Sequence, residues 1–460
     1  MDKIELLKSR RAELLGVSRE IREKISSLTD SESFVELDAY SFSRNEFYGE
    51  DANGEGVVTG YATIDSTPVY VVAQNVKVLS GGVSRANCAK IVKCLEKAAK
   101  TGYPVVYMFD SLGVSVGEGV NVLEGMAEVI NASVALKGNV PQFSVVSGKL
   151  YGSFAVLAAG ADYNFMLKDS RAAYASPLVI SAKSGKKLSD EEVAGSSATK
   201  YNSITTFAAE DIAEVKAKIT DILSVLPDYS PLIVDTDDDF NRDAAKLDEA
   251  ICSDCLIKAT FDNGKFIEMN AGYRPEVRTG IGRIGGMSVA AIVFAGEEKG
   301  VELDNENVAK IDEFVSYANE NGLPVVTFVN TLGLKTDLQT SNSLILKNVY
   351  SLARKLSEAE RLSVVYGKAI GLGYTLFAAK SGGVDYSYAF ATAKIGLFDG
   401  AACSAAFGEV REDKIAELEE RYSDENADPV NAAKNGYIDN IIEPRFVRQY
   451  VISALQTIVR

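Results

Sequence analysis

The stretch VVSGKLYGSFA, residues 145–155, begins as an apolar strand, turns at Gly148-Lys149, meets a second glycine at Gly152 and runs into a helix-forming segment. Residues 364–374, VVYGKAIGLGY, repeat that order. The echo reaches further in both directions. Thr59-Gly60 is answered by Thr279-Gly280, Gly102-Tyr103-Pro104 by Gly322-Leu323-Pro324, and Gly113 by Gly333, each 220 residues later; Gly152 is answered by Gly371 after 219. Solenoid units run roughly 20–50 residues. A period this long marks a duplicated domain.

Around these anchors, apolar runs such as VYVVAQNV and PVVYMFD alternate with helical stretches such as RANCAKIVKCLEKAAKTG. Strand, helix, strand at that spacing predicts βαβ units with parallel strands, an α/β fold. Residues 1–30 read as an amphipathic helix with Ile4, Leu6, Leu7, Leu14 and Leu15 toward one side. The first α/β domain is expected over residues 31–226. A linker follows at 227–246, whose acidic cluster (Asp235, Asp237, Asp238 and Asp239) reads as a solvated hinge. The second domain takes 247–460.

The 460 residues are 47% hydrophobic and 24% charged, and 48 basic against 64 acidic side chains give a net charge of −16. Such a surface argues against nucleic acid or an anionic membrane as partner. The N-terminus lacks the apolar core of a signal peptide, and no run of 18 uncharged apolar residues occurs, so a cytoplasmic protein without membrane insertion is expected. The five cysteines, odd in number and scattered, read as reduced thiols. Cys252-Ser253-Asp254-Cys255 has CxxC spacing but lacks the further ligands of a zinc site, and it reads as structural. The chain has no histidine. Ser-His and Cys-His nucleophile pairs, His-ligated metals and a histidine base are thereby excluded, and no metal is expected.

Each copy holds two glycine turns that follow strands, FDSLGVS (109–115) with SGKLYGSFAVLAAG in the first and VNTLGLK (329–335) with YGKAIGLGYTLFAAK in the second. Glycine lets a ligand approach the backbone, and the first N–H groups of a helix lack internal partners. One N–H from each turn makes an oxyanion hole. A Walker phosphate loop is excluded because Leu150 follows Lys149 and Ala369 follows Lys368, where that motif needs Ser or Thr. The plain alternative is that the glycines only permit close strand–helix packing.

Across about residues 30–460 the chain resembles the carboxyltransferase subunits of biotin-dependent acyl-CoA carboxylases and decarboxylases. The resemblance rests on SFVELDAY (33–40), GEGVVTGYATIDSTPVYVVAQNVKVLSGGVSRANCAKI, and TGIGRIGGMSV, LPVVTFVN, GKAIGLGY, ATAKIGLF and GYIDNIIEPRFVR in the second half, all in family order. It implies two tandem crotonase-like domains, β-β-α superhelices related by internal duplication. The N-terminal one binds the acyl-CoA, and the C-terminal one of a partner protomer binds carboxybiotin. Biotin arrives on a separate carrier protein, and the coenzyme A thioester is the substrate. The implied partners are further copies of the chain (a dimer or a trimer of dimers), a biotin carrier, and a biotin carboxylase or membrane decarboxylase subunit.

Carried over residue by residue, Gly113, Gly152 and Ser153 would serve the thioester oxygen, with Gly152 supplying an N–H. Gly333, Gly371 and Leu372 would serve the biotin carbonyl, with Gly371 supplying one. Gly81, Gly82 and Arg85 lie where the family's CoA-binding stretch begins, although Arg85 reads equally as a solvated cation at a helix start. The family writes its first turn DSGGARIQEG, against DSLGVSVGEG here, with Leu112 for Gly. Its biotin pocket has Pro-Gly-Phe where this chain has Leu332-Gly333-Leu334, and its paired glycines become Gly152-Ser153 and Gly371-Leu372. These departures leave two readings open: a pocket for a different acyl group, or a paralogue that keeps only a structural or CoA-binding role. A hydratase or isomerase of the crotonase type is the third reading, and it leaves the duplication unexplained.

Overall fold

The strands follow from apolar runs covered on both faces, the condition under which parallel sheets form. The computed structural model describes residues 2–45, 50–195, 199, 204–398, 400–408 and 411–459. The chain divides into two compact units, residues 1–221 and 222–460.

In the first unit the described strands of the main sheet are β1 (Val35–Leu37), β2 (Val57–Ile64), β3 (Thr67–Gln74), β4 (Val105–Ser111), β5 (Gln142–Tyr151), β6 (Tyr163–Leu167), β7 (Arg171–Ala173) and β8 (Phe207–Ala209). They lie in the order β1-β2-β3-β4-β5-β6-β8, with β7 added to β5. The β1–β2 and β2–β3 pairs are antiparallel and the remaining pairs, from β3–β4 onward, are parallel. The second unit repeats this with β9 (Phe266–Met269), β10 (Val277–Ile284), β11 (Met287–Phe294), β12 (Val301–Leu303), β13 (Val325–Leu334), β14 (Arg361–Ile370), β15 (Tyr386–Phe390), β16 (Lys394–Gly396) and β17 (Asn440–Ile442). Its order is β9-β10-β11-β13-β14-β15-β17, with β12 on β13 and β16 on β14.

The duplication holds down to register. Tyr70 pairs with Val105 in one sheet and Ala290 with Val325 in the other. In both, the central parallel pair carries an irregularity just before the first glycine turn, between Phe109 and Ser111 and between Val329 and Thr331.

Helices cover these sheets through apolar stripes. In α3 (Arg85–Thr101) the buried Cys88, Ile91, Cys94, Leu95 and Ala98 recur at three- and four-residue spacing. Ser84 caps the helix by accepting the Asn87 N–H at 2.9 Å, and left-handed Gly102 ends it. Asp304 caps α7 (Asn305–Glu320) in the same way. The helices α4 (Val120–Val134) and α8 (Ile345–Glu358) precede the second turn of their units.

Three sequence expectations need correction. The N-terminal segment is two helices, α1 (Lys3–Val17) and α2 (Arg19–Leu28), and α1 buries nothing, with Ile4, Leu6, Leu7 and Leu15 all exposed. The buried stripe belongs to α2, where Ile21, Ile25 and Leu28 fall on one face. The segment expected as a solvated hinge packs on the second unit: the Val234 N–H donates to the Gly286 carbonyl at 3.0 Å, and Asp238 sits 3.6 Å from the fully buried Arg448. Finally, Cys252 and Cys255 are joined as a disulfide rather than held as reduced thiols, while Cys88, Cys94 and Cys403 are buried outside any disulfide. Among the described residues no helix is long and apolar enough to cross a membrane, and no group of three or more His, Cys, Asp or Glu is placed to hold a metal ion.

Candidate active site

Gly148-Lys149 and Gly367-Lys368 are not turns opening a helix. Both lie inside strands, β5 and β14, at the irregularity in the parallel pair. Gly148 presses on the Asp110 side chain so closely that a Cβ would stand 2.2 Å from Oδ1. The Lys149 N–H donates to the same oxygen at 3.1 Å. In the second unit Asn330 takes that place: a Cβ on Gly367 would stand 2.4 Å from its Oδ1, which accepts the Lys368 N–H at 2.9 Å. A glycine is needed because a side-chain oxygen fills the space, not because a phosphate does.

This pinned bulge delivers the strand to the second turn, Gly152 before α5 (Phe154–Gly160) and Gly371 before α9 (Leu372–Phe377). The structure brings the two predicted turns of each unit together. A Cβ on Gly113 would lie 3.5 Å from the Tyr151 carbonyl. One on Gly333 would lie 2.9 Å from the Ile370 carbonyl, 3.4 Å from the Gly373 nitrogen and 3.6 Å from the Leu372 nitrogen. Gly113, Gly152, Gly333 and Gly371 all have positive φ, the backbone region that favours glycine.

Their N–H groups, however, are already committed. Gly113 donates to Ser111 Oγ at 3.1 Å and Gly333 to Thr331 Oγ1 at 3.0 Å. Gly152 donates to the Ala173 carbonyl at 3.1 Å and Gly371 to the Gly396 carbonyl at 2.9 Å. The expectation that Gly152 and Gly371 present their own N–H to a ligand is therefore corrected. Each is bonded to a short added strand, β7 or β16. The N–H groups of the next two residues, Ser153 and Phe154 or Leu372 and Gly373, have no acceptor among the described residues. The missing Cβ of Gly333 keeps the space before Leu372 and Gly373 open, and nothing lies within 4 Å of where a Cβ on Gly152 would stand. Each unit thus offers two adjacent N–H donors at the start of a short helix.

Leu112, next to Gly113, and Leu372, itself one of the donor residues, carry side chains that are 49% and 40% exposed. Leu332 and Leu334, flanking Gly333, are half-buried. Gly81 is structural as well as adjacent: its Cβ would stand 2.3 Å from the Asp110 carbonyl, and the Leu112 N–H donates to the Ser80 carbonyl at 3.2 Å. Gly82 is likewise hemmed in by the Leu79 carbonyl, 2.8 Å from where its Cβ would be. Arg85 faces a cleft of about 630 Å³ between α3 and α4 that also presents Glu96, Glu118 and Glu128. Its guanidinium meets Glu128 at 2.6 Å and its backbone N–H meets Glu118 at 2.6 Å. That cleft does not include the glycine turns.

Sequence reasoning missed the residues that hold the site, although the 220-residue offset points to them: Asp110 with Asn330, Ser111 with Thr331, and Lys90 with Lys310. The two lysines are buried, and each ties down the loop before the antiparallel pair. Lys90 Nζ donates to the Gly54 and Val57 carbonyls at 2.8 and 2.6 Å, and Lys310 Nζ to those of Asn270, Tyr273 and Arg274 at 3.1, 2.6 and 3.2 Å. Burial lowers both ammonium groups to a pKa of about 8.

Residues 18–460 match the carboxyl transferase domain family. The chain is 31% identical to the methylmalonyl-CoA decarboxylase subunit alpha of Veillonella parvula over 94% of its length and 89% of the relative's. It is 28% identical to the carboxyltransferase subunit of propionyl-CoA carboxylase from Haloferax mediterranei, over 95% and 89%. Among solved structures, transcarboxylase 12S with methylmalonyl-coenzyme A and methylmalonic acid bound, described as a hexamer, superimposes with a TM-score of 0.90 at 26% identity, covering 99% of this chain and 95% of that one.

Proposed function

Because the chain belongs to the carboxyl transferase family, we propose that it transfers a carboxyl group between biotin carried on a separate polypeptide and a short acyl-CoA. It has the family's doubled crotonase-like α/β fold. The observation that carries the reading is the matched pair of adjacent N–H donors, Ser153 with Phe154 and Leu372 with Gly373, at equivalent points of both units. A reaction with two oxygens that become electron-rich, one on a thioester and one on a ureido group, calls for two such sites. The first unit takes the thioester and the second the ureido oxygen.

The side chains around the donors point to an orienting role. Asp110 is occupied by the Lys149 N–H and stands 3.5 Å from the Lys24 ammonium; its counterpart Asn330 does not titrate. With no histidine in the chain, the protein binds and polarises while the proton is exchanged between the reactants. Biotin, when bound, supplies the site that gives or takes the carboxyl group. Ser153 and Phe154 hold the thioester oxygen as charge develops on it, and Leu112 offers an apolar wall suited to a short acyl chain. The relatives include both carboxylases and a decarboxylase, and the transfer step is common to both directions. We further propose that copies of the chain assemble and that a biotin carrier docks on them together with a biotin carboxylase or membrane decarboxylase subunit.

The test is carboxyl exchange by the intact protein between free or carrier-borne biotin and a panel of carboxylated short acyl-CoA thioesters, followed by chromatography of the CoA products. Loss of the carboxyl group that depends on biotin is expected for at least one thioester. An assembled protein that transfers nothing, even with its carrier present, would leave the structural or CoA-binding role in place of catalysis.

A further inference from the structure

The CxxC segment is the one chemically distinctive motif that carboxyl transfer does not use. Cys252 and Cys255 are paired, with Cα atoms 5.1 Å apart. Cys252 is the capping residue of α6 (Ser253–Thr260), and its Sγ accepts the Cys255 N–H at 3.1 Å. Both cysteines are half-buried: Cys255 packs against the core of the second unit, and Cys252 lies at the N-terminal cap of the helix. The next residues inward, Leu256 and Ile257, are buried and anchor the helix without help from the disulfide. The charge of Asp254, between the cysteines, is met by Arg278 at 2.6 Å, which also holds Glu268 at 2.6 Å.

A bridge across only two intervening residues closes a very short loop, so it constrains the unfolded chain less than a long-range bridge does. It is a poor staple for a unit that already has its own core. The same geometry favours exchange. When the bond is broken, the Cys252 sulfur remains on the N–H it already accepts, at the positive end of a helix, where a thiolate is stabilised. The other three cysteines offer no competition: Cys88, Cys94 and Cys403 are buried, and burial pushes the thiols of Cys88 and Cys94 up to about 12.

We propose that Cys252 and Cys255 form a reversible dithiol–disulfide centre, with Cys252 as the exchanging sulfur and a protein or small-molecule dithiol as its reductant. A thiolate of the reductant bonds to Cys252 Sγ, the bridge breaks, and Cys255 leaves as a thiolate that takes a proton. The second thiol of the reductant then attacks the mixed disulfide on its own sulfur, and Cys252 leaves as the thiolate that the Cys255 N–H receives. Two electrons pass to the protein, and the reductant departs as its own disulfide.

The experiment uses the full chain, native buffer, dithiothreitol as the probe dithiol, and iodoacetamide with peptide mass mapping. Before reduction, neither Cys252 nor Cys255 should be alkylated. After reduction without denaturant both should be, while Cys88, Cys94 and Cys403 stay unmodified. Oxidised glutathione should restore the bridge. At limiting reagent and mildly acidic pH, Cys252 should react several-fold faster than Cys255, because its sulfur is the one held at the helix N-terminus. A Cys255→Ala chain should trap glutathione on Cys252, and a Cys252→Ala chain should not trap it on Cys255. A bridge reducible only in denaturant, a pair that oxidised glutathione cannot reoxidise, or faster labelling of Cys255 would each overturn the proposal. None of these readouts depends on carboxyl transfer.

Discussion

Replacing Ser153 with proline removes one hydrogen atom's worth of chemistry from the first unit. Ser153 has φ −62°, within a few degrees of the value proline imposes, and precedes the first residue of α5. Gly152 before it has no Cβ for the ring to strike. The Ser153 N–H has no acceptor among the described residues, so its loss breaks no internal bond. Fold stability should therefore change by less than about 1 kcal/mol, as for other proline substitutions at compatible positions. Turnover should not be spared. Loss of one oxyanion donor costs on the order of 10²–10³ in rate, about 3–4 kcal/mol, with Phe154 left as the remaining donor. Ser153→Ala keeps the N–H and drops the hydroxyl, and it should stay within about 0.5 kcal/mol of the parent in both stability and barrier. The assay is biotin-dependent carboxyl loss from the best acyl-CoA of the panel, with urea unfolding run beside it. A folded Ser153→Pro enzyme that turns over like the parent would refute the assignment of this N–H. A Ser153→Ala enzyme as slow as the proline variant would move the role to the hydroxyl.

The second unit should answer separately. Leu372→Pro places proline at the first position of α9, where its missing N–H is tolerated, and should depress exchange onto biotin by a similar factor while acyl-CoA binding, measured by calorimetry, is kept; loss of both together would contradict the division of labour. Asp110→Asn should cost no more than about 1 kcal/mol, because Asn330 performs the same task and only the Lys24 pair is lost. Asp110→Leu should cost about 1–3 kcal/mol by leaving the Lys149 N–H without its acceptor, and equal urea midpoints for the two variants would remove the pinning role. Asp30 provides a pH test: burial pushes its carboxyl up, but the Ser66 N–H, the Thr63 hydroxyl, Lys216 and the Asp65 N–H outweigh that and hold its pKa at about 2. Since the unfolded value is about 3.9, the stability lost in Asp30→Asn should be full above pH 4 and vanish toward pH 2; a difference independent of pH would refute the linkage.

What the sequence revealed depended on the duplication. Strand and helix positions repeat at a constant offset because both units pair their strands in the same register, so a glycine found in one copy locates its partner in the other. The opening Gly-Lys pair misled because a strand bulge and a helix-opening turn use the same residues. The difference lies in Asp110 and Asn330, distant in sequence, whose side-chain oxygens fill the glycine's space. The donors shifted by one residue for a similar reason. The acceptors for Gly152 and Gly371 come from β7 and β16, strands of three residues each, too short to leave a periodic signal. The leucines of α1 suggested a buried face, yet only the Ile21, Ile25 and Leu28 spacing of α2 supplies one. The pairing of Cys252 with Cys255 was undecidable from spacing, which suits a ligand pair, free thiols or a disulfide equally.

The departures from the family's glycine pairs take on a definite meaning once the donors are located. A backbone N–H does not depend on the side chain that follows it, so Ser153 and Leu372 can present the donors that a glycine would. The first glycine of each pair is the one the geometry requires, because it adopts positive φ and its own N–H is tied to a neighbouring strand. The second position is free to change which side chain stands beside the donors. The first unit has a hydroxyl from Ser153 and the exposed edge of Leu112; the second has the Leu372 side chain, with Leu332 and Leu334 flanking Gly333. Substitution at these points alters the size and polarity of what fits beside the donors while Ser111 with Thr331 and Asp110 with Asn330 keep the turns in place. Under the proposed assignment, Leu112 would bear on which acyl group is accepted, Leu332, Leu334 and Leu372 on how biotin is seated, and the donors on whether transfer occurs at all.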